Sequence, residues 1–479
     1  MKLGELLKKV NIVRAEADMD IEIHGVSYDS RTIRAGEIFV AVKGYVDDGN
    51  DFAEEAVARG AVCVLSERAP DSNISYVLVE DARKCLAAVS ANWFSNPAEK
   101  LTIIGVTGTN GKTTVTNLIK EVLEKCTGKK VGLIGTIRNM IGSKEVAAER
   151  TTPESLEIHG LFAQMVAAGC KYAVMEVSSH SLVLDRVYGM EFEVGVFLNL
   201  TPDHMDFHDS MEEYAKAKTK LFTMCKKGAV NLDDAYAKNI IGQAMCPVTT
   251  FAVHDDGADL VGKSVKLHPD RVEFCALTIG TLDRVELKIP GMFSVYNALS
   301  AISAVMLLGF GVENISAVLQ TCGGVKGRAE AVCSNDSYTV IIDYAHTPDA
   351  LKNIIETMRA CSQGRIITLF GCGGDRDRTK RSVMGEIAAG LSDFVIVTSD
   401  NPRTEEPRAI IEDILSGMKN TDTPVEVIES RKEAIVYALT QLKSGDTLIL
   451  AGKGHEDYQI IGKEKTHFDE REVVREFFS

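Results

Sequence analysis

The stretch Leu101–Thr116, LTIIGVTGTNGKTTVT, constrains this chain more than any other. An apolar run (Leu101, Ile103, Ile104, Val106) breaks into a Gly- and Thr-rich loop ending in Gly111-Lys112-Thr113-Thr114. Val115, Leu118, Ile119, Val122 and Leu123 then follow at spacings of three and four, the pattern of a helix. Strand, glycine loop and helix in that order make a phosphate site. Loop N–H groups and the helix N-terminus face anionic oxygens, Lys112 reaches the outer phosphates, and Thr113 can hold Mg²⁺. The loop residues expected on a nucleotide are Gly108, Thr109, Asn110, Gly111, Lys112, Thr113 and Thr114. The glycine that usually opens such a loop is displaced, since Val106 stands in its place and Gly105 lies one residue earlier. A small-residue loop capping an ordinary helix is the alternative, and Gly-Lys-Thr-Thr at the strand-to-helix junction argues against it.

A phosphate loop of this kind needs a parallel sheet, and the chain has the length for about three domains. Residues 1–98 carry strand-like pieces at Ile21–Val26, Ile38–Val42, Val62–Leu65 and Tyr76–Val79, then a helical stretch Asp81–Phe94 closed by Asn96-Pro97. From 99 to 328, strands at Leu101–Val106, Val131–Ile134, Tyr172–Val177 and Val194–Leu198 alternate with helical patterns, which predicts a mostly parallel α/β sheet. A β-rich insert spans 259–290, and Tyr296–Leu308 reads as a helix. The segment 329–479 repeats the alternation, with strands Thr339–Ile342, Ile366–Phe370, Phe394–Thr398 and Thr447–Leu450. Each runs into a loop dense in charge and glycine. Ligands of parallel sheets sit at those strand ends.

A net charge of −15 sets the chain against nucleic acid and anionic membrane as partners. Eleven cysteines without a Cys-x-x-Cys pair read as reduced, structural thiols, and no apolar run approaches membrane-spanning length. The expectation is a cytoplasmic protein.

Four groups of residues carry chemistry beyond the loop. Glu176 ends an apolar strand, where a carboxylate can complete Mg²⁺ coordination with Thr113; its alternative is a helix cap. The run Asp203-His204-Met205-Asp206-Phe207-His208 offers imidazole and carboxylate for a cation, with a plain surface loop as the alternative. Lys216, Lys218 and Lys220 share a helical pattern that is most often a solvated face. A buried lysine there could instead take up CO₂ as a carbamate. Arg376, Arg403 and Glu456 lie in the strand-end loops of the last segment. A guanidinium pair with a carboxylate suits a zwitterionic amino acid, though an Arg beside an Asp is otherwise a structural ion pair.

The ordered motifs resemble those of the Mur ligases essentially end to end. They are Asp29-Ser30-Arg31 with Val42-Lys43-Gly44, Gly108–Thr114, Thr151-Thr152-Pro153-Glu154, Glu176-Val-Ser-Ser-His180 and Asn199-Leu-Thr-Pro-Asp-His204. Tyr296-Asn297-Ala298, Gly327-Arg328, Asp343-Tyr-Ala-His346, Gly373-Gly-Asp-Arg376, Asp400-Asn-Pro-Arg403 and Gly452-Lys-Gly-His-Glu456 continue the series. Within the family the resemblance is to members that add the third amino acid to UDP-N-acetylmuramoyl-L-alanyl-D-glutamate in peptidoglycan assembly. It implies a smaller α/β N-terminal domain for the uridine nucleotide (1–98), a central P-loop ATPase-like parallel sheet (99–328) and a C-terminal Rossmann-like domain for the amino acid (329–479). ATP would phosphorylate the D-glutamyl side-chain carboxylate, and an incoming amine would displace phosphate.

By the same resemblance, Thr113, Glu176, His204 and a carbamylated Lys218 (N6-carboxylysine) would serve Mg²⁺, with Lys112, Glu176, His204 and Lys218 as the catalytic set. Asn297, Arg328 and Asp343 would meet ATP. Ser30, Thr151, Thr152, Ser178 and Arg186 would meet the UDP-muramoyl-dipeptide. Arg376, Asp400, Asn401, Pro402, Arg403, Gly452 and Glu456 would meet meso-diaminopimelate. The tetrapeptide Asp400–Arg403 accompanies that substrate in the family, and lysine-adding members lack its Arg. Leaving such an Arg buried and unpaired with lysine would cost several kcal/mol. Tyr45 departs from the family, standing where relatives often have His. A monomer with mobile outer domains is expected. The competing readings are a sibling ligase adding glutamate to folate or another amino acid to the nucleotide, and a P-loop switch or regulatory ATP-binding protein without ligase chemistry.

Overall fold

Apolar runs of four to six residues, separated by amphipathic helical stretches, fold into parallel sheets covered by helices. The computed structural model describes residues 1–479 apart from 45–46, 71–72, 204–206, 335–336 and 420. Its residues pack as two units, Met1–Leu260 with Ser300–Gly311, and Val261–Leu299 with Val312–Ser479. Among the described residues no helix is long and apolar enough to cross a membrane.

The first unit begins with a five-stranded sheet of β1 (Ile12–Glu16), β2 (Gly25–Ser27), β3 (Glu37–Val40), β4 (Cys63–Ser66) and β5 (Tyr76–Val79), in the order β1-β5-β4-β3-β2. Strands β2 to β5 are parallel, and β1 runs antiparallel to β5. Ile38, Val40, Leu65 and Val77 pack against Leu86 and Val89 of the helix Ala82–Trp93. Each such burial contributes about 1.5–3 kcal/mol. The Asp81 carboxylate caps that helix, accepting from Arg83 N and Lys84 N at 3.0 Å. The expected strand Ile21–Val26 shrinks to Gly25–Ser27. Its first residues bond instead to the N-terminus, Leu3 N to Ile21 O at 3.0 Å and Ile23 N to Met1 O at 2.8 Å.

Eight strands of the first unit belong to the second sheet: β6 (Thr102–Thr107), β7 (Val131–Ile134), β8 (Asn139–Ile141), β9 (Lys144–Val146), β10 (Tyr172–Glu176), β11 (Phe192–Phe197), β12 (Cys225–Asn231) and β13 (Val248–Ala252). Their order is β13-β12-β11-β6-β10-β7-β8-β9, parallel from β13 through β7. The earliest of the parallel strands, β6, lies between β10 and β11. The loops leaving these three strands therefore meet at the point where chain order reverses.

The second unit opens with the antiparallel strands β14 (Leu260–Leu267), β15 (Val272–Thr278) and β16 (Thr281–Leu287), as the β-rich insert predicts. The helix Met292–Met306 starts one turn earlier than the apolar pattern suggests. Then come β17 (Glu330–Ser334), β18 (Tyr338–Asp343), β19 (Ile366–Phe370), β20 (Phe394–Val397), β21 (Val425–Val427) and β22 (Asp446–Ala451), in the order β17-β18-β22-β19-β20-β21. All but β17 are parallel, and β22 is inserted between β18 and β19. That insertion gathers the loops after β18, β19, β20 and β22. A hairpin of β23 (Tyr458–Ile461) and β24 (Glu464–His467) follows.

Candidate active site

The phosphate loop joins β6 to the helix Lys112–Thr127, with Gly111 in the left-handed region (φ 89°) as its N-cap. Gly108 is also at positive φ (153°), and a Cβ there would lie 2.8 Å from Leu198 Cβ, so the loop passes too close to β11's exit for any side chain. Asn199 fixes the loop from across the sheet. Its Oδ1 accepts from Asn110 N at 2.9 Å, its Nδ2 donates to Asn110 O at 3.2 Å, and its own carbonyl accepts from Thr109 N at 2.9 Å. Thr109 Oγ1 exchanges bonds with Thr201, accepting from its N at 3.0 Å and donating to its O at 3.2 Å.

Two amines converge on one carbonyl of this loop. Lys112 Nζ donates to Gly108 O at 2.9 Å and Thr109 O at 2.8 Å, and Lys218 Nζ donates to the same Gly108 O at 2.9 Å. Lys218 is fully buried on the helix Met211–Thr219, 4.4 Å from the centre of the Tyr214 ring. Burial, and then the neighbouring Lys112 charge, push its pKa well below the ordinary lysine value; Asp203 opposes them. The Tyr214 hydroxyl, 3.3 Å from Thr109 Oγ1, is pushed up to about 12 by burial. Of the three helix lysines, Lys218 is the one turned inward, while Lys216 and Lys220 are exposed.

Glu176 ends β10, buried beside the phosphate loop's own strand. Its Oε1 accepts from Thr136 N at 2.9 Å and its Oε2 from Thr136 Oγ1 at 3.0 Å. A Cβ at Gly135 would sit 2.5 Å from Glu176 Oε1, so the carboxylate depends on that glycine for room. Thr151 Oγ1 lies 3.0 Å from Thr136 Oγ1, and Thr152 Oγ1 donates to Glu176 O at 2.8 Å and accepts from Ser178 N at 3.1 Å. Arg186 Nη1 donates to Thr152 O at 2.9 Å. The structure thus brings Glu176, Thr151, Thr152, Ser178 and Arg186 together. Burial lowers the Arg186 pKa, opposed by Glu154, whose Oε1 is 2.6 Å from Arg186 and 2.9 Å from Arg150. Ser30 is elsewhere in the unit, buried at the start of the short helix Ser30–Thr32 and preceded by the Asp29 cap. His204 and Tyr45 lie outside the described residues, while His208 is buried with Nε2 3.0 Å from Ser179 Oγ.

In the second unit, Asp343 Oδ2 accepts from Ala329 N at 2.7 Å, and its pKa is raised by desolvation against that bond and the Arg328 charge. Arg328 stacks over Tyr344 at 5.4 Å, and Asn297 is buried on the helix Met292–Met306. Gly327 and Gly454 interlock around Tyr344: a Cβ at Gly327 would meet His455 N at 2.1 Å, and one at Gly454 the Tyr344 Cβ at 2.5 Å.

Arg403 takes a left-handed backbone (φ 52°), unusual for a residue with a Cβ. Hydrogen bonds from Arg403 N to Ile460 O (3.2 Å) and from Gly462 N to Arg403 O (2.7 Å) hold it there, and Nη1 donates to Gly374 O at 2.8 Å. Asp400, Asn401 and Pro402 are buried, Arg376 is exposed, and Glu456 Oε2 accepts from Asn401 Nδ2 at 2.8 Å. A Cβ at Gly452 would lie 2.7 Å from Asp400 Oδ2.

Three residues that the sequence motifs include without a role shape these clusters. Asn199 clamps the phosphate loop, Glu154 pairs with Arg186, and Lys453 sits completely buried among Asp400, Asn401 and Glu456.

Family models match residues 22–101 (Mur ligase family, catalytic domain), 106–305 (Mur ligase middle domain) and 327–454 (Mur ligase, glutamate ligase domain). The chain is 48% identical to the UDP-N-acetylmuramoyl-L-alanyl-D-glutamate--2,6-diaminopimelate ligase of Caldanaerobacter subterraneus subsp. tengcongensis, over 100% of this chain and 99% of that relative. It is 43% identical to the ligase of the same name from Clostridioides difficile, over the whole of both chains. A solved structure of a ligase of that name superposes with a TM-score of 0.75 at 31% identity, covering 100% of this chain and 98% of its own. The MurF ligase of Thermotoga maritima, solved in complex with ADP, shares the fold at a TM-score of 0.61 and 20% identity, covering 96% and 98%. Three α/β regions in this order, matched from end to end, place the chain in the Mur ligase family.

Proposed function

We propose that the chain is the ADP-forming ligase that joins meso-2,6-diaminopimelate to UDP-N-acetylmuramoyl-L-alanyl-D-glutamate in peptidoglycan precursor synthesis. The γ-phosphoryl group passes from ATP to the D-glutamyl side-chain carboxylate, and the bond to ADP breaks. The amine nitrogen then attacks the acyl carbon, a C–N bond forms, the C–O bond to phosphate breaks, and the nitrogen gives up a proton. The domains are assigned as 1–98 for the uridine nucleotide, 99–328 for ATP and the acceptor carboxylate, and 329–479 for the amino acid.

In this reading the loop N–H groups from Gly108 to Thr114 hold the ATP phosphates, and Lys112 leaves its loop carbonyls to bind them. Thr151, Thr152, Ser178 and Arg186 orient the muramoyl-dipeptide, with Ser30 on its uridine end. Asn297, Arg328 and Asp343 are assigned to ATP. The hydroxyl of Thr113 and the carboxylate of Glu176 are hard oxygen donors of the kind Mg²⁺ takes. Bound Mg²⁺ offsets the repulsion between phosphate and carboxylate. Asp400, Asn401, Pro402, Arg403, Arg376, Gly452 and Glu456 recognise the distal ammonium and carboxylate of diaminopimelate.

The observation that carries the reading is the buried Lys218 amine, 2.9 Å from the phosphate-loop carbonyl, with its pKa pushed down by burial and by the nearby Lys112 charge. A phosphate loop that only binds nucleotide has no use for it. Reaction of the neutral amine with CO₂ forms an N–C bond, releases one proton and leaves an anionic oxygen donor facing the loop. Lys218→Ala is expected to lose nearly all amine-dependent phosphate release and to recover part of it with short carboxylic acids. Full activity of Lys218→Ala without additive would remove Lys218 from the mechanism.

A further inference from the structure

Lys453 is completely buried, yet it is surrounded by oxygen. Its Nζ lies 2.7 Å from Tyr458 O, 3.1 Å from Asn401 Oδ1, 3.4 Å from Glu456 Oε2 and 3.6 Å from Asp400 Oδ1. A buried ammonium persists only with partners of this kind, and removing it strands whatever it neutralises. The contacts also fix polarity. Asn401 Oδ1 accepts from both Lys453 Nζ and Ile460 N (3.0 Å), which leaves its Nδ2 to face Glu456. Lys453 therefore sets the orientation of the Asn401 amide and the place of the Glu456 carboxylate.

Charge gives this arrangement a consequence for selectivity. Asp400 and Glu456 carry one negative charge each, and Lys453 and Arg403 one positive charge each, so the pocket set sums to zero. Arg376, also assigned to this site, and the adjacent Asp375 are both exposed and add one charge of each sign, so the sum stays zero when they are counted. A pocket of zero net charge with both signs displayed suits a zwitterionic end, an ammonium beside a carboxylate. Without Lys453 the set would carry one net negative charge and would favour a bare ammonium.

We propose that Lys453 is a positioning residue that determines specificity. It balances Asp400 and Glu456 so that the pocket takes an amino acid whose distal end is zwitterionic and rejects one ending in an ammonium alone. The proposal rests on the reading of the 400–403 and 452–456 loops as the amino-acid site.

The test is amine-dependent phosphate release by the full chain with ATP and UDP-N-acetylmuramoyl-L-alanyl-D-glutamate, comparing kcat/KM for meso-diaminopimelate and for lysine. Wild type is expected to prefer diaminopimelate by two orders of magnitude or more. Lys453→Met should lower that ratio at least tenfold, chiefly through a higher KM for diaminopimelate. Asp400→Asn removes a negative charge with little change of shape and should raise the ratio by rejecting lysine further. It tests the charge balance even if Lys453→Met does not fold. The double variant Lys453→Met with Asp400→Asn returns the sum to zero and should recover much of the preference. Equal losses on both amines in folded Lys453→Met, or an unchanged ratio in Asp400→Asn, would overturn the role of Lys453 while leaving the site in place. A wild type that uses lysine as well as diaminopimelate would overturn the site reading and this proposal together.

Discussion

At the scale of single residues, the side chains with the strongest assigned roles are those the fold constrains most. Arg403 is held in a left-handed backbone by hydrogen bonds on both sides, and its guanidinium is steered by Gly374 O. Arg403→Ala is expected to lower kcat/KM for diaminopimelate at least a hundredfold, about the worth of a charge-assisted bidentate contact at a half-buried guanidinium, and to change the rate with lysine little. Parallel kinetics on the two amines check this. Glu405 offers a second test. Its bond to the fully buried Arg381 holds its carboxyl at about 2, below the ordinary 4.5. A depressed carboxylate pKa contributes stability that is complete above pH 4.5 and is lost as pH falls toward 2. Glu405→Gln should therefore melt lower than wild type at pH 7 and lose less further stability between pH 4.5 and 2, as followed by thermal unfolding. Parallel melting curves across that range would contradict the assignment. Residue type and local context were enough to single out Lys112 and Glu176, whereas Lys218 stood out from Lys216 and Lys220 only through the family resemblance. The motif named Glu154 without a role, because its closest ion pair is with Arg186, thirty-two positions away in sequence, which only the fold brings beside it and the nearby Arg150.

At the scale of elements, strands buried on both faces were legible and exposed ones were not. Strands β6, β10 and β22 read as unbroken apolar runs because helices cover both faces. Strand β1 was invisible because all five of its residues are exposed and Arg14 pairs with Glu16 along the strand. The Ile21–Val26 run misled because its apolar residues are drawn into bonds with the chain's first residues, a long-range choice that no local pattern records. Loops positioned by these elements carry their own test. Gly135→Ala would push a methyl group to within 2.5 Å of Glu176 Oε1. It is expected to cut phosphate release at least tenfold with a melting temperature within a few degrees of wild type, measured on the same preparation. A fully active Gly135→Ala would mean that the place of the Glu176 carboxylate does not matter to the reaction.

At the scale of the whole molecule, two largely parallel sheets end in loops of different chemical character. The switch point around β6 gathers the glycine loop and the Glu176 carboxylate, and the loops after β18, β19, β20 and β22 carry side chains of both charges. The order of motifs along the chain foreshadowed this division, while the placement of β22 between β18 and β19 required the fold. The central claim is that phosphoryl transfer is coupled to one amine. Phosphate release from ATP measures it directly, with UDP-N-acetylmuramoyl-L-alanyl-D-glutamate present and meso-diaminopimelate, lysine or ornithine added in turn. Release should be rapid with diaminopimelate, at least a hundredfold slower with lysine or ornithine, and slight without an amine. Equal rates with all three amines, or rapid release with none, would contradict the claim.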